Sequence, residues 1–324
     1  MNFAGVSNRT GVLWTAAAFL LHTLGLTLVF DPIQGIVSSH AIIDQDWGLH
    51  FHHLTSLDAL WRQDRMVWGY NPFFMAGFPS NTIQDLSIKF FEFAALGLST
   101  FALTPIQWFK ISAFLAVASV PWLIYFAARN FFTANDCKDL IALTAAFLAT
   151  VYWWNSLPRE MFFYGMIGFP AASYLSVLGV SLFYRLPAQQ EKFGWVHLGW
   201  LLFAAAILPL HVQSVIIFLP PMVALLLTSR RFLSSRLIGW IAGAAVFSLA
   251  INAIWLLPAL NHRADDVSAA IVNQLPLFAG ANPLTFILDY LGPQGFWTFR
   301  PSFIEKGVRI ALLLLGIIGV GSLV

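Results

Sequence analysis

Long apolar runs separated by short polar stretches are the feature that most constrains the fold of this chain. Several runs approach twenty residues, the length that an α-helix needs to cross the roughly 30 Å hydrocarbon core of a bilayer. Of the 324 residues, 59% are hydrophobic and 10% are charged, whereas charged residues make up about a quarter of a typical soluble domain. Because a helix satisfies its own backbone hydrogen bonds in lipid, we expect an all-α polytopic membrane protein.

Eight apolar runs are long enough to be predicted as spans of a helical bundle. They cover residues 11–30, 106–127, 139–156, 168–184, 195–209, 212–228, 237–257 and 307–324. The last run ends at Val324 without a polar tail. We therefore predict a single transmembrane domain over residues 1–324 that is truncated at its C-terminus.

The stretch 86–104 is also apolar, but Lys89 and Glu92 interrupt it. Each charge would cost on the order of 2–3 kcal/mol inside a span. We therefore predict a juxtamembrane or re-entrant helix at the outer interface instead of a crossing.

The distribution of Lys and Arg sets the predicted orientation of the chain. If 86–104 does not cross, eight basic residues of the short loops lie on one side and Arg159 alone lies on the other. The eight are Arg9, Arg129, Lys138, Arg185, Lys192, Arg230, Arg231 and Arg236. The positive-inside rule then predicts a cytoplasmic N-terminus and four outer regions, at 31–105, 157–167, 210–211 and 258–306.

Several function classes are disfavoured by what the sequence lacks. The net charge is +2 without a basic tract, so no nucleic-acid partner is expected. The single cysteine, Cys137, excludes an intramolecular disulfide and a cysteine-based metal cluster. Nothing resembles a Gly-rich nucleotide loop, a Ser/His/Asp triad or a zinc-binding HExxH helix, which disfavours a nucleotide-driven ATPase.

The segment 44–85 is the one long polar interruption in the N-terminal two-thirds of the chain. It holds three of the eight histidines and five of the fifteen acidic residues. Asp46, His50 and His53 are spaced i, i+4, i+7, so they share one face of a helix. Such a face could bind a divalent cation or supply a base with a partner that tunes its pKa. It could equally be the polar side of an amphipathic helix that docks on the membrane through its leucines and Trp61.

Two other features of this segment each have a functional and a structural interpretation. Asp44 and Asp46 could form a carboxylate pair that attracts Mg²⁺ or Mn²⁺, or Asp44 could be the N-cap of the helix. The aromatic turns at 68–79, with Trp68 and Tyr70, could stack on a sugar ring, or they could form an interfacial aromatic belt.

The other outer regions contribute candidate substrate-binding residues. Arg159 and Arg263 could clamp a lipid phosphate, because arginine presents several donors to an anion. Alternatively, Arg159 pairs with its neighbour Glu160, and Arg263 is an ordinary loop charge. His211, in a tight outer turn, could be a ligand, a base or a hydrogen-bonded structural histidine.

The order of these features resembles that of the GT-C superfamily of integral-membrane glycosyltransferases. The shared order is a first span, a large outer loop with an early acidic motif, a juxtamembrane helix and a bundle of spans. The resemblance covers about residues 10–260. Its specific motif resembles the first-loop pattern of YfhO-like membrane proteins of bacteria and archaea. That motif consists of Asp46-Trp-Gly-Leu-His50, the Leu57–Leu60 helix, and the turns Gly69-Tyr-Asn-Pro72 and Gly77-Phe-Pro79.

The resemblance implies a transferase that takes a sugar from a polyprenyl-phosphate donor. The acceptor would be a glycan, lipid or protein on the outer face of a prokaryotic plasma (inner) membrane. Asp46 matches the acid that acts as base or holds a metal, with Asp44 as runner-up, and His50 or His53 would orient it or complete a metal site. The chain lacks the adjacent Asp-Glu pair of the commonest pattern, which leaves dependence on Mg²⁺ or Mn²⁺ open.

Two functions from other classes compete with the transferase at the level of sequence. A transporter or flippase of lipid-linked glycans would place charges in the middle of its spans, whereas here the charges are predicted in loops. A non-catalytic assembly protein would use the outer loop to bind a partner.

Overall fold

The computed structural model describes residues 8–29, 33–72, 78–80, 88–133, 137–154, 157–189, 193–211, 214–228 and 234–262. Within these ranges the chain is almost entirely helical, which confirms the all-α prediction. The helices are α1 (Asn8–Val29), α2 (Ile33–Val37), α3 (Gln45–Asp64), α4 (Lys89–Leu98), α5 (Pro105–Ala118), α6 (Val120–Phe131), α7 (Lys138–Trp154), α8 (Leu157–Phe163), α9 (Gly168–Arg185), a 3₁₀ turn (Leu186–Gln189), α10 (Trp195–Leu210), α11 (Ser214–Thr228) and α12 (Ser235–Asn261).

Helices occupy seven of the eight predicted spans, and the eighth, 307–324, lies outside the described residues. The predicted span 106–127 is divided into α5 and α6, which are bent by 43° at Ser119. Pro121 lies in the first turn of α6, where its missing N–H costs no helical hydrogen bond. The apolar pattern therefore located the helices but did not reveal this break.

Most of the helices are shorter than the span that the apolar runs predict. Among the described residues, α12 alone is long and apolar enough to cross a membrane, or two crossings exist if α5 and α6 form one bent span. The eighteen residues of α9 reach only about 27 Å at 1.5 Å per residue. Among the described residues, the structure thus supports one or two crossings by helix length and composition.

The stretch 86–104 contains α4, whose ten residues reach only about 15 Å, too little for a crossing. Lys89 Nζ lies 2.7 Å from Glu92 Oε2, and both side chains are buried. The helix packs against α3, α5 and α10. Lys89 and Glu92, whose charges were the reason for predicting no span at 86–104, are therefore paired inside the protein and are not exposed at an interface.

The bundle is held together by close approaches and by polar contacts between apolar helices. A Cβ on Gly179 of α9 would overlap the ring of Phe203 on α10, so the two backbones approach closely. Asn252 of α12 donates from Nδ2 to the carbonyl of Ala205 at 3.1 Å. Small residues at contacts and side-chain hydrogen bonds between helices are typical of helix packing in lipid.

A small hairpin replaces part of the predicted series of turns after α3. Strand β1 (Gly69–Asn71) pairs antiparallel with β2 (Phe78–Ser80), with Tyr70 opposite Pro79. Asn71 Nδ2 donates to Ser56 Oγ at 3.1 Å, which fastens the hairpin to the middle of α3.

The buried pair of α4 generates a stability prediction. Lys89→Met or Glu92→Gln should each destabilise the protein by roughly 3–5 kcal/mol, because each leaves a buried charge without its counter-charge. The double variant Lys89→Met/Glu92→Leu should recover most of that loss. Thermal unfolding of the detergent-purified protein measures all three.

The matched control is the exposed i, i+4 pair of Arg62 and Asp58, whose atoms lie 2.9 Å apart. Its removal should cost only about 0.3–0.5 kcal/mol. Equal losses for the two pairs would mean that the Lys89 and Glu92 charges are solvated.

Candidate active site

The N-terminus of α3 is bound to the turn that follows α8. The backbone N–H of Asp46 donates to the carbonyl of Tyr164 at 3.1 Å. Trp47 Nε1 donates to the carbonyls of Phe162 at 3.2 Å and Phe163 at 3.1 Å. These carbonyls lie at the C-terminal end of α8 and just beyond it, where a helix leaves acceptors unsatisfied. The predicted outer regions 31–105 and 157–167 are thereby joined at Asp46.

His50 makes a further contact at this junction. Its Nε2 donates to the carbonyl of Gly165 at 2.6 Å, and the side chain is buried. Because a carbonyl oxygen only accepts, Nε2 carries the proton, and Nδ1 is the ring atom that could ligate a metal. The structure thus gives His50 a positioning contact one helical turn from Asp46.

Gly165 makes the close approach possible. Its φ of +87° lies in the region that favours glycine, and a Cβ there would lie 2.6 Å from Trp47 N and 2.9 Å from Asp46 C. Sequence reasoning missed this residue, because a glycine in a short loop has many uses. The dipeptide Tyr164-Gly165, directly after α8, was the available signal.

The two candidate acids occupy different environments. Asp44 is the N-cap residue, with φ −144° and ψ 135°, and its exposed side chain makes no capping hydrogen bond. Asp46 is half-buried in the first turn of α3, where the helix dipole stabilises a carboxylate. Asp46 is therefore the acid that the fold holds in place.

A cavity of about 230 Å³ lies next to Trp47. Its described lining combines the 35–42 segment with aromatic and basic side chains from three helices: Trp47, Lys110, Phe114 and Phe162. No carboxylate occurs among these described lining residues. The cavity is therefore apolar and aromatic with one positive charge.

Lys110 is a further candidate residue that sequence reasoning missed. Its Nζ donates to the Gly35 carbonyl at 2.7 Å, to Ser38 Oγ at 2.9 Å and to the His40 carbonyl at 3.0 Å. All three ammonium protons are used on neutral acceptors, so the charge itself is not cancelled. The prediction that charges stay in loops is wrong here, since Lys110 lies inside α5. A lone lysine in an apolar run was the available signal.

The remaining candidates of the first loop lie elsewhere. His53 is buried on the same helix as Asp46. Trp68 is half-buried, with its ring 5.2 Å from that of His262, and Tyr70 is exposed on β1. Because the twenty residues of α3 extend about 30 Å, Trp68 and Tyr70 follow the end opposite to Asp46. The structure divides the predicted loop site into two parts.

The other outer candidates surround the same end of the bundle. Arg159 and Glu160 are half-buried on α8, the helix whose C-terminal carbonyls bind Trp47. His211 is the C-cap of α10, and its ring lies 5.4 Å from Phe169 at the start of α9. Arg263 lies outside the described residues.

Ring contacts join three of the four regions that the positive-inside rule placed on the outer side: the ring of Trp47 lies 5.4 Å from that of Phe162, and the ring of Trp68 lies 5.2 Å from that of His262. The fourth region, at His211, contacts Phe169, two residues past the region 157–167. The described part of the chain offers no cluster of three or more His, Cys, Asp or Glu placed to hold a metal. The metal ligands Asp46 and His50 therefore stay a prediction.

Comparisons of the chain with protein-family models, with curated proteins and with solved structures found no match. The class of protein that the fold defines is an all-α bundle with an acid held at the junction of α3 and α8. The resemblance to the GT-C superfamily stays a prediction.

The junction generates a second prediction. Gly165→Ala should destabilise the protein by roughly 1–3 kcal/mol through backbone strain alone, and overlap with Asp46 and Trp47 should increase the loss. The control is Gly48→Ala inside α3, where a Cβ meets nothing within 4 Å and helix propensity improves by up to about 1 kcal/mol. Thermal unfolding distinguishes them. Equal stability of the two variants would contradict the described contact.

Proposed function

We propose that the protein is an integral-membrane glycosyltransferase that moves a sugar from a polyprenyl-phosphate donor to an acceptor on the outer face. The observation that carries the proposal is the setting of Asp46. Its carboxylate is half-buried, its backbone is bound to the turn after α8, and the next residue lines an aromatic, positively charged cavity. An acid in a fixed position, one residue from a side chain that lines such a cavity, is suited to act as a general base.

The surface of the bundle supports placing it in a membrane. Large apolar side chains project from several helices, and Leu28 is 83% exposed, Ile216 74% and Val246 67%. A soluble monomer rarely exposes large contiguous apolar patches. Lipid chains would cover these side chains at no cost in hydration, so a bilayer explains why the sequence retains them.

The size and lining of the cavity support a small, amphipathic part of the donor. Its roughly 230 Å³ is below the roughly 300–1,000 Å³ of pockets that enclose drug-sized ligands. It suits one sugar or a phosphate, with the isoprenoid chain outside in lipid. Aromatic walls such as Trp47 and Phe162 suit the apolar faces of a sugar ring.

In the proposed reaction the acceptor hydroxyl loses its proton to Asp46, and the acceptor oxygen bonds to the anomeric carbon of the sugar. The bond from that carbon to the donor phosphate breaks, and the polyprenyl phosphate leaves with the electron pair. Lys110 and Arg159 would offset the negative charge that grows on the departing phosphate, which is the usual task of a preorganised cation. If Mg²⁺ or Mn²⁺ is bound, Asp46 and His50 would hold it, and it would supply further positive charge there.

A transporter of lipid-linked glycans is the second candidate, and the buried Lys89–Glu92 pair favours it. Charges enclosed in an apolar bundle commonly mark substrate or ion pathways. A transporter would move the lipid-linked sugar across the bilayer unchanged. Purified protein in vesicles distinguishes the two, because only a transferase separates the sugar from its polyprenyl phosphate.

The proposal predicts that Asp46→Asn lowers glycan transfer by about 10²–10⁴-fold, the usual contribution of a general base. Mass spectrometry of lipids from membranes that contain the variant should show glycosylated polyprenyl phosphate accumulating as unused donor. The control, Asp64→Asn, removes an exposed carboxylate at the other end of α3 and should retain the parental rate. Unchanged transfer by Asp46→Asn would remove the residue from the mechanism.

The proposed orientation predicts which face of the membrane each loop reaches. In a Cys137→Ser background, Gly97→Cys, at an exposed site in α4, should react with an impermeant thiol reagent added outside. Ala188→Cys, at an exposed site after α9, should react only from the cytoplasmic side. Labelling of both cysteines from one side would reject the assignment.

A further inference from the structure

A second and larger cavity lies far from Asp46. It has a volume of about 630 Å³. Arg185, the last residue of α9, lines it, whereas the first residue of α9 follows the Gly165 turn closely. Eighteen helical residues separate the two ends of α9 by about 27 Å. The cavity therefore lies toward the end of the bundle where the positive-inside rule places the cytoplasm.

The described lining of this cavity combines polar and apolar residues. The polar lining residues are Arg129, Asn130, Thr133, Lys138 and Arg185. The apolar lining residues are Phe126, Leu178, Leu182, Trp195 and Gly199. A cavity with this mixed lining suits a ligand that has both a charged group and an apolar part.

The polar lining residues carry a surplus of positive charge. Arg129 Nε lies 3.0 Å from the buried carboxylate of Asp139, so that cation is neutralised. Lys138 and Arg185 contribute two further charges. Since no acid occurs among the described lining residues, the surplus favours an anion.

Arg185 is held in an orientation that suits an anion. Its Nη1 donates to Thr133 Oγ1 at 2.9 Å, which fixes one edge of the planar guanidinium. Its Nε is buried and finds no hydrogen-bond partner among the described residues. Arg185 also lines the cavity, and an arginine with fixed geometry is a usual partner of phosphate oxygens.

We propose that this cavity binds the phosphate group of an anionic membrane lipid. Arg185 and Lys138 donate to the phosphate oxygens, while Leu178, Leu182 and Trp195 cover the start of an acyl chain. Inorganic phosphate would satisfy the cations but leave the apolar lining residues in water, so a lipid fits better. Basic pockets between helices on the cytoplasmic side are suited to such headgroups, because that leaflet is rich in anionic lipids. The inference rests on membrane placement and is independent of sugar transfer.

The test uses the full chain in detergent and native mass spectrometry with three probes: phosphatidylglycerol, phosphatidylcholine and inorganic phosphate. The parent should retain phosphatidylglycerol at least about tenfold more tightly than phosphatidylcholine. Arg185→Gln and Lys138→Gln should each lower phosphatidylglycerol affinity by about tenfold, the effect of losing one charge-assisted hydrogen bond. Arg185→Lys should lose less, because it keeps the charge.

The control is Arg62→Gln, which removes an exposed arginine paired with Asp58 on α3 and should leave lipid binding unchanged. Thermal unfolding of each variant, with and without phosphatidylglycerol, separates lost binding from lost folding: a folded variant that has lost the site shows no lipid-dependent shift.

Equal retention of the two lipids, or unchanged binding by Arg185→Gln and Lys138→Gln, would overturn the proposal. Displacement of phosphatidylglycerol by millimolar phosphate would overturn the lipid assignment in favour of a free phosphate. Loss of transfer by Asp46→Asn has no bearing on any of these results.

Discussion

The structure of the candidate site depends on the contact between the N-terminus of α3 and the turn after α8. Asp46, Trp47 and His50 donate hydrogen bonds to the carbonyls of the last turn of α8 and of the turn that follows it. In an apolar surrounding, a buried donor that lost its acceptor would cost the desolvation of a polar group. The contact therefore fixes the start of α3 against α8. It also holds Trp47, the residue after Asp46, in the lining of the cavity that it shares with Phe162.

The buried charges of the bundle show how an apolar chain retains ionic groups. Lys89 is paired with Glu92 within α4. Lys110 is surrounded by neutral acceptors of residues 35–40. Pairing lowers the cost of burial, whereas neutral acceptors satisfy the protons and leave the charge in place. This difference separates charges that a neighbouring counter-charge neutralises from charges that keep their field for an anionic ligand. Lys110 and Arg185 belong to the second group, one near each end of the bundle.

Much of the helical layout could be predicted from the sequence, because apolar runs of near-span length have few other uses. The α3 helix and the shared face of Asp46 and His50 also followed from spacing alone. The bend at Ser119 could not be predicted, because a run that is apolar nearly all round has no periodic signal to interrupt. The separation of Tyr70 from Asp46 was equally hidden, since it depends on the full length of α3.

The sequence by itself determined that the described chain is helical and where most helices lie. Those properties follow from local composition, which each segment carries with it wherever it packs. Only the tertiary structure decided that Gly165 contacts the backbone of Asp46 and Trp47, that Lys110 and Trp47 line one cavity, and that Arg185 lines a second one. Such neighbours are far apart in the chain, and their proximity depends on how the helices pack.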